Sequence, residues 1–201
     1  EMNTRLVGSE MCIRDRGFSS KIPASEHTAE NHIYWINKVL KELKLKELVY
    51  AGQDWGGPIG MGALSLSPEL LKGAVLLNTG FNAPKVNADL SPAHALVKTP
   101  VIGELLLEVI FSIFERLKSV QGNPDSWTSE VAELYGRPVY ESGNSKAPLA
   151  MMRMVPDGPN HPSTPSMRRV EEYVNTLEIP AEIVWGENDP ILGRGLPIMQ
   201  Q

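Results

Sequence analysis

Cysteine is almost absent: Cys12 stands alone in 201 residues. No internal disulfide can form, and His and Cys never cluster at metal-ligand spacing, so neither a disulfide framework nor a structural metal is expected. A reducing, cytoplasmic compartment and a site without metal or cofactor are the plain expectations. Positive charge is also scarce. The 19 lysines and arginines are outnumbered by 24 aspartates and glutamates, for a net charge of −5. No run of like charge offers a surface to a nucleic-acid backbone. Long hydrophobic runs are missing too. The most apolar stretch, Pro100 to Phe114, is shorter than the roughly 20 residues a membrane span needs, and it carries Glu104 and Glu108. It reads as a buried helix or part of a cap. Repeats and low-complexity tracts are absent, while 42% hydrophobic residues suffice for a sizeable core, in one ordinary domain or part of a larger one.

Glu1 to Arg16 alternates charged and apolar residues without the apolar core of a secretory signal. Within it, Leu6 to Arg16 resembles a translated adapter string, and residues 1–16 are set aside as a non-native leader. Sequencing the source DNA would test that, since finding the string encoded there would remove the idea. From residue 17 the pattern is ordered. Ser25 is placed to cap a helix whose apolar positions Ile33, Ile36, Leu40 and Leu43 fall at helical spacing. Leu48 to Ala51 is a short apolar run suited to a buried parallel strand, followed by a glycine-rich turn and a small-residue helix from about Pro58 to Leu66. Ala74 to Leu77 is another strand. Strand, turn, helix, strand is the unit of a parallel α/β sheet. Residues 82–166 change character, with many prolines, helices expected around Gly103 to Lys118 and Ser126 to Tyr135, and no convincing strand. They read as an inserted helical cap. A helix near Ser166 to Leu177 and a strand Ala181 to Trp185 return to the sheet pattern, so the core is assigned to 17–81 and 167–201.

The chemistry concentrates in Gly52-Gln53-Asp54-Trp55-Gly56, which has the form glycine, any residue, nucleophile, any residue, glycine between a strand and a helix. A tight turn of this kind strains the central residue and brings main chains so close that a Cβ on the flanking glycines would clash. One side chain is then held above the sheet, where the helix N-terminus favours an anion. Serine at this place needs a base before it can attack. A carboxylate, with an ordinary pKa of about 3.9, is already ionised at neutral pH and suits attack on a saturated carbon bearing a leaving group. The resulting ester on Asp54 must be hydrolysed by water, which calls for a base and an oxyanion hole. The backbone N–H of Trp55 is the first candidate donor. The Trp55 indole N–H, a donor that cannot accept, could stabilise a departing halide. Asp54 as a simple helix cap and Trp55 as a packing residue remain open alternatives. Asp189 falls where the strand Ala181 to Trp185 gives way to a loop. A carboxylate there could orient a histidine base, although Asn188-Asp189-Pro190 also reads as a turn.

Gln53-Asp54-Trp55-Gly56-Gly57, together with Trp185-Gly186-Glu187-Asn188-Asp189-Pro190, resembles the haloalkane dehalogenase family of the α/β-hydrolase fold. Asn160-His161-Pro162-Ser163 and Gly17-Phe18-Ser19-Ser20-Lys21 are similar in flavour. The resemblance implies a partial α/β-hydrolase sheet, mostly parallel, with an inserted helical cap. It makes Asp54 the nucleophile, Trp55 a halide-binding residue and Asp189 the catalytic acid, acting on a small halogenated alkane with water. It also places the family's early strands, and with them the second oxyanion donor, before Gly17, and its histidine base after Gln201. His27, His32, His94 and His161 all precede Asp189, so this polypeptide is expected to form the ester without turning over. An epoxide hydrolase would share the aspartate but need two tyrosine donors, for which Tyr135, Tyr140 and Tyr173 are candidates. A non-catalytic fragment or binding domain is the third possibility.

Overall fold

The computed structural model describes residues 22–87, 92–105, 117–141, 146–189 and 191–199. The expected leader, Cys12, the Gly17 to Lys21 segment, Pro190, and residues 106–116 of the helix expected over 103–118 lie outside that set.

The first long helix, α1 (Ala29–Glu42), starts three residues later than Ser25 suggests. Ser25 sits in a short 3-10 turn (Ala24–Glu26), and the cap is Thr28, whose hydroxyl accepts from the Asn31 N–H at 3.1 Å. A cap must sit two or three residues before the N–H it satisfies, with extended backbone, and Thr28 meets both conditions. α1 buries Ala29, His32, Ile33 and Asn37. The Asn37 amide donates to the Ala63 carbonyl at 2.9 Å and the Ser67 hydroxyl at 3.0 Å, so a polar group inside the core is paid in hydrogen bonds. Those bonds join α1 to α2 (Gly56–Ser65), which is buried from Gly57 to Leu64. Small residues make that burial possible. A Cβ on Gly62 would stand 2.6 Å from the Ile33 side chain.

Three parallel strands, β1 (Leu48–Gln53), β2 (Leu71–Leu77) and β3 (Ala181–Val184), pair in that order. Tyr50 lies opposite Ala74, Gly52 opposite Leu76, and Leu76 opposite Ile183. One core fills the space between this sheet, α1, α2 and the later helix α7 (Thr164–Val174): Ile33, Met61, Leu64, Leu71, Leu76 and Val170 are its centre. The opposite face corrects the expectation that β1 is buried on both sides. Val49 is 68% exposed and Val184 55%, and among the described residues no element covers the face they share. Period-two burial, rather than the continuous burial of a central parallel strand, is the result.

Between β2 and β3 the described residues form helices and turns only: α3 (Pro92–Lys98), α4 (Ile102–Glu104), α5 (Ser129–Glu141), α6 (Lys146–Arg153), α7 and short 3-10 turns. Charge pairs stitch α3, α4 and α6 together. Arg153 grips Glu104 with two nitrogens at 2.6 and 3.0 Å, and the Lys98 ammonium reaches the Val155 carbonyl and Asp157, the latter at 2.9 Å. The Arg153 hydrogen bonds hold the Glu104 carboxyl down at about 2, against an ordinary 4.5. Because the folded value lies below the unfolded one, the stabilisation is complete above pH 4.5 and drains away as the pH falls toward 2. Glu104→Gln should therefore melt lower than the parent at pH 7, with the two curves converging near pH 2. Tryptophan fluorescence during thermal melts at stepped pH would show this. No helix of the described residues is long and apolar enough to cross a membrane.

Candidate active site

β1 delivers the chain to Asp54, whose φ of 48° places it in the left-handed region that side chains avoid. Three hydrogen bonds hold it there. Its N–H donates to the Asn78 carbonyl at 3.0 Å, its carbonyl accepts from the Thr79 hydroxyl at 2.7 Å, and the same carbonyl accepts the Gly57 N–H at 3.1 Å. The end of β2 thus fixes the turn that follows β1, and a strained non-glycine residue held this way is a common mark of a working site.

The glycines divide the work differently from the pattern-based expectation. A Cβ on Gly52 would lie 2.7 Å from the Tyr50 ring and 3.1 Å from the Gly57 backbone, as expected, but around Gly56 the nearest atom is 3.8 Å away. The close approach belongs to Gly57, where a Cβ would meet the Thr79 hydroxyl at 1.9 Å. α2 begins at Gly56, so it is the next residue that turns toward the end of β2. Gly57→Ala must displace Thr79 and cost roughly 1–3 kcal/mol or more of stability, whereas Gly56→Ala should be nearly neutral. Urea denaturation of the two variants would distinguish them.

Trp55 caps α2, and its side chain, like that of Ile36, packs against the cluster of Ile59, Met151 and Met154, which joins α2 to α6. Packing is only part of its character. Among the described residues neither its indole N–H nor its backbone N–H has a hydrogen-bond partner, so two donors are available at the turn. Asp189 stands beyond β3 and accepts at both oxygens: Oδ1 from the N–H groups of Ile191 at 2.8 Å and Leu192 at 3.0 Å, Oδ2 from the Asn78 amide at 3.0 Å. Asp189 therefore closes a turn through its first oxygen, onto the N–H groups of Ile191 and Leu192, in keeping with the turn expected after Asn188. The second oxygen is tied to β2, which a turn does not require.

The histidines separate clearly. His27 Nδ1 and His32 Nε2 lie 3.1 Å apart in a buried pair. His161 uses both nitrogens, Nε2 toward the Arg153 carbonyl at 3.1 Å and Nδ1 accepting the Ser163 N–H at 3.1 Å. Burial, then Lys98, lowers its pKa, which suits the neutral form. His94, on α3, lies in the electrostatic field of Asp54. Burial and Lys98 push its imidazole down from the ordinary value while Asp54 pulls it up.

Two of the candidate tyrosines have surroundings of their own, one at the surface and one at the main core. Tyr135 is 56% exposed with its ring 5.2 Å from that of Trp127. Tyr173 packs against the main core, its hydroxyl without a hydrogen-bond partner among the described residues, and burial, then Glu69, raises its pKa. The Tyr140 side chain lies outside the described residues. A cleft of about 510 Å³, lined by His27, Glu104, Leu149, Arg153, Met154, His161 and their neighbours, includes none of Asp54, Trp55 and Asp189 and touches the Trp55 cluster only through Met154.

Parallel strands whose carboxyl ends carry a strained aspartate turn and a second acid narrow the fold sharply. The sequence profile of the alpha/beta hydrolase fold family matches residues 14–200. The chain belongs to that family. As an α/β-hydrolase it is 29% identical over 171 residues to the cis-3-alkyl-4-alkyloxetan-2-one decarboxylase of Shewanella oneidensis, covering 82% of this chain and 52% of that one. It is 25% identical over 168 residues to a haloalkane dehalogenase of Mycolicibacterium paratuberculosis, covering 84% and 53%. The chain spans about half the length of these curated relatives. The haloalkane dehalogenase DpaA of Paraglaciecola agarilytica superposes with a TM-score of 0.72 at 20% identity, over 92% of this chain and 59% of that one, which is a likeness of fold. The expectation of a partial, parallel α/β-hydrolase sheet resembling the haloalkane dehalogenases is met.

Two residues escaped the sequence reading. Asn78 and Thr79 contact the candidate nucleophile and Asn78 also contacts the candidate acid, yet a polar pair after a strand reads simply as a turn. Their position at the carboxyl end of a parallel strand, where α/β enzymes place their chemistry, was the available signal.

Proposed function

We propose that this α/β-hydrolase displaces a halide from a small halogenated alkane, with Asp54 as nucleophile. The observation that carries the reading is the Asp54 turn, an aspartate held at φ 48° and followed directly by Trp55, whose two N–H groups have no partners among the described residues. Asp54 attacks the carbon bearing the halogen, the carbon–halogen bond breaks, and the halide leaves toward the Trp55 indole N–H. The backbone N–H of Trp55 receives the oxyanion when water attacks the ester. Asp189 is the acid partner of the base in that second step. The helices of 82–166 act as the cap over a core of 17–81 and 167–201, a reading supported by Trp55 packing on Met151 and Met154 and by His94 feeling the charge of Asp54.

His27, His32 and His161 are committed to structural bonds, and with His94 not assigned as base the 201-residue polypeptide is expected to release at most one equivalent of halide and keep the ester. Steady multiple turnover by it would contradict this and direct attention to His94.

The 29% identical decarboxylase favours a second reading. Asp54 could open a β-lactone at its saturated ring carbon, the ring carboxylate being the leaving group. Loss of carbon dioxide would then expel Asp54 and leave an alkene, with no water consumed. Supplying a haloalkane and a cis-β-lactone separately, and measuring halide against carbon dioxide plus alkene, decides between them. Halide release with an ester retained on Asp54 supports the first reading. Alkene formation without halide chemistry would replace it with the second.

A further inference from the structure

β2 ends at Leu77, and the next residue, Asn78, is buried with φ 30°, a second left-handed residue beside the first at Asp54. Its backbone carbonyl accepts the Asp54 N–H at 3.0 Å. Its side chain faces the other acid. Oδ1 accepts the Gly186 N–H at 2.7 Å, while Nδ2 donates to the Gly186 carbonyl at 2.9 Å and to Asp189 Oδ2 at 3.0 Å. One residue therefore touches both carboxylate-bearing turns, through main chain on one side and side chain on the other. Asparagine suits the place on two counts. It tolerates positive φ better than most residues, and its planar amide carries a donor and an acceptor together. Aspartate would keep the acceptor for Gly186 but set a second negative charge against Asp189, and an aliphatic residue would leave Gly186 and Asp189 without their partner.

The other oxygen of Asp189 is occupied by the N–H groups of Ile191 and Leu192. Those two bonds fix where the carboxylate sits, and a carboxylate held by one oxygen can still rotate about the bond to its Cβ. The Asn78 bond to Oδ2 fixes that rotation and refers it to the strand end that also holds Asp54.

We propose that Asn78 is a positioning residue, orienting the Asp189 carboxylate relative to Asp54 for the ester-hydrolysis half of the reaction. This rests on the reading of Asp54 as nucleophile and Asp189 as acid. Asn78 acts through Asp189, to which its amide donates at 3.0 Å. Its loss should fall on hydrolysis of the ester and spare its formation, because attack by the already ionised Asp54 needs no base and hence no oriented Asp189.

The test uses a form of the protein that hydrolyses its ester, mixed with a halogenated alkane in a single turnover, with ester on Asp54 followed by mass spectrometry. Asn78→Asp should form the ester within about twofold of the parent rate but hydrolyse it roughly 10- to 100-fold more slowly, as expected for losing an oriented hydrogen bond next to a like charge. Asn78→Ser, which keeps a small donor and acceptor, should hydrolyse faster than Asn78→Asp, and it also serves if Asn78→Asp does not fold. Parent-like hydrolysis in both variants overturns the proposal. So does an equal fall in both half-reactions that tracks the melting temperature, since that is the signature of a latch that only holds strands together. If the parent itself forms no ester on Asp54, the reading beneath fails first, and that outcome is recognisably different.

Discussion

Asp54→Asn is expected to lower halide release from a halogenated alkane by roughly 10⁴-fold or more. The amide is nearly the same shape, and asparagine, like aspartate, is among the residues most tolerant of left-handed backbone. The bonds that hold the turn run through the main chain of residue 54, to the Asn78 carbonyl and from the Thr79 hydroxyl and the Gly57 N–H, so none depends on the carboxylate. Fold and melting temperature should change little while the nucleophile disappears, which separates a chemical role from the helix-cap role that a sequence reading leaves open. A pure cap would be replaced well by asparagine. Halide release retained by the variant would therefore remove Asp54 from the chemistry. Ion chromatography of halide, with thermal melts of both proteins, makes the comparison.

Asp189→Asn should act on the other half. Where a base completes the site, ester formation should continue while hydrolysis falls by about 10⁴-fold, the scale seen when the carboxylate that orients a histidine becomes an amide. The local geometry adds a reason. The amide oxygen can still accept from the N–H groups of Ile191 and Leu192, but its NH₂ then points at Nδ2 of Asn78, where Asp189 Oδ2 now accepts at 3.0 Å. Two donors face each other, and one must turn away. Trapped ester should build up on Asp54, visible as a stable mass increase. Hydrolysis at the parent rate would mean that Asp189 merely closes its turn.

The parts of the molecule that were legible are those written in short-range pattern. Leu48 to Gly57 passes from an apolar run through glycine, aspartate and tryptophan into small residues, and each change has a local steric cause, so strand, turn and helix followed directly. The strands at Ala74 and Ala181 were visible as apolar runs, with ends displaced by a few residues because the register comes from pairing with neighbours. What stayed hidden depends on distance in space. An apolar run does not say whether one or both faces will be covered, so the exposure of Val49 and Val184 was not foreseen. Ser25 and Thr28 are both good caps by residue type, and only the backbone at Thr28 decides between them. The roles of Gly57 and Asn78 arise from Thr79 and Asp189, partners 22 and 111 residues away along the chain. His94 came under the influence of Asp54 only through the placement of α3, a helix no local pattern ties to that turn.

The decisive experiment is to mix the 201-residue polypeptide with a halogenated alkane, digest it, and map where any alkyl group has attached. One alkyl group esterified to Asp54, matched by one equivalent of halide, is the predicted result. Halide release with Asp54 unmodified, or alkylation confined to a histidine or methionine, would show that this carboxylate does not make the bond.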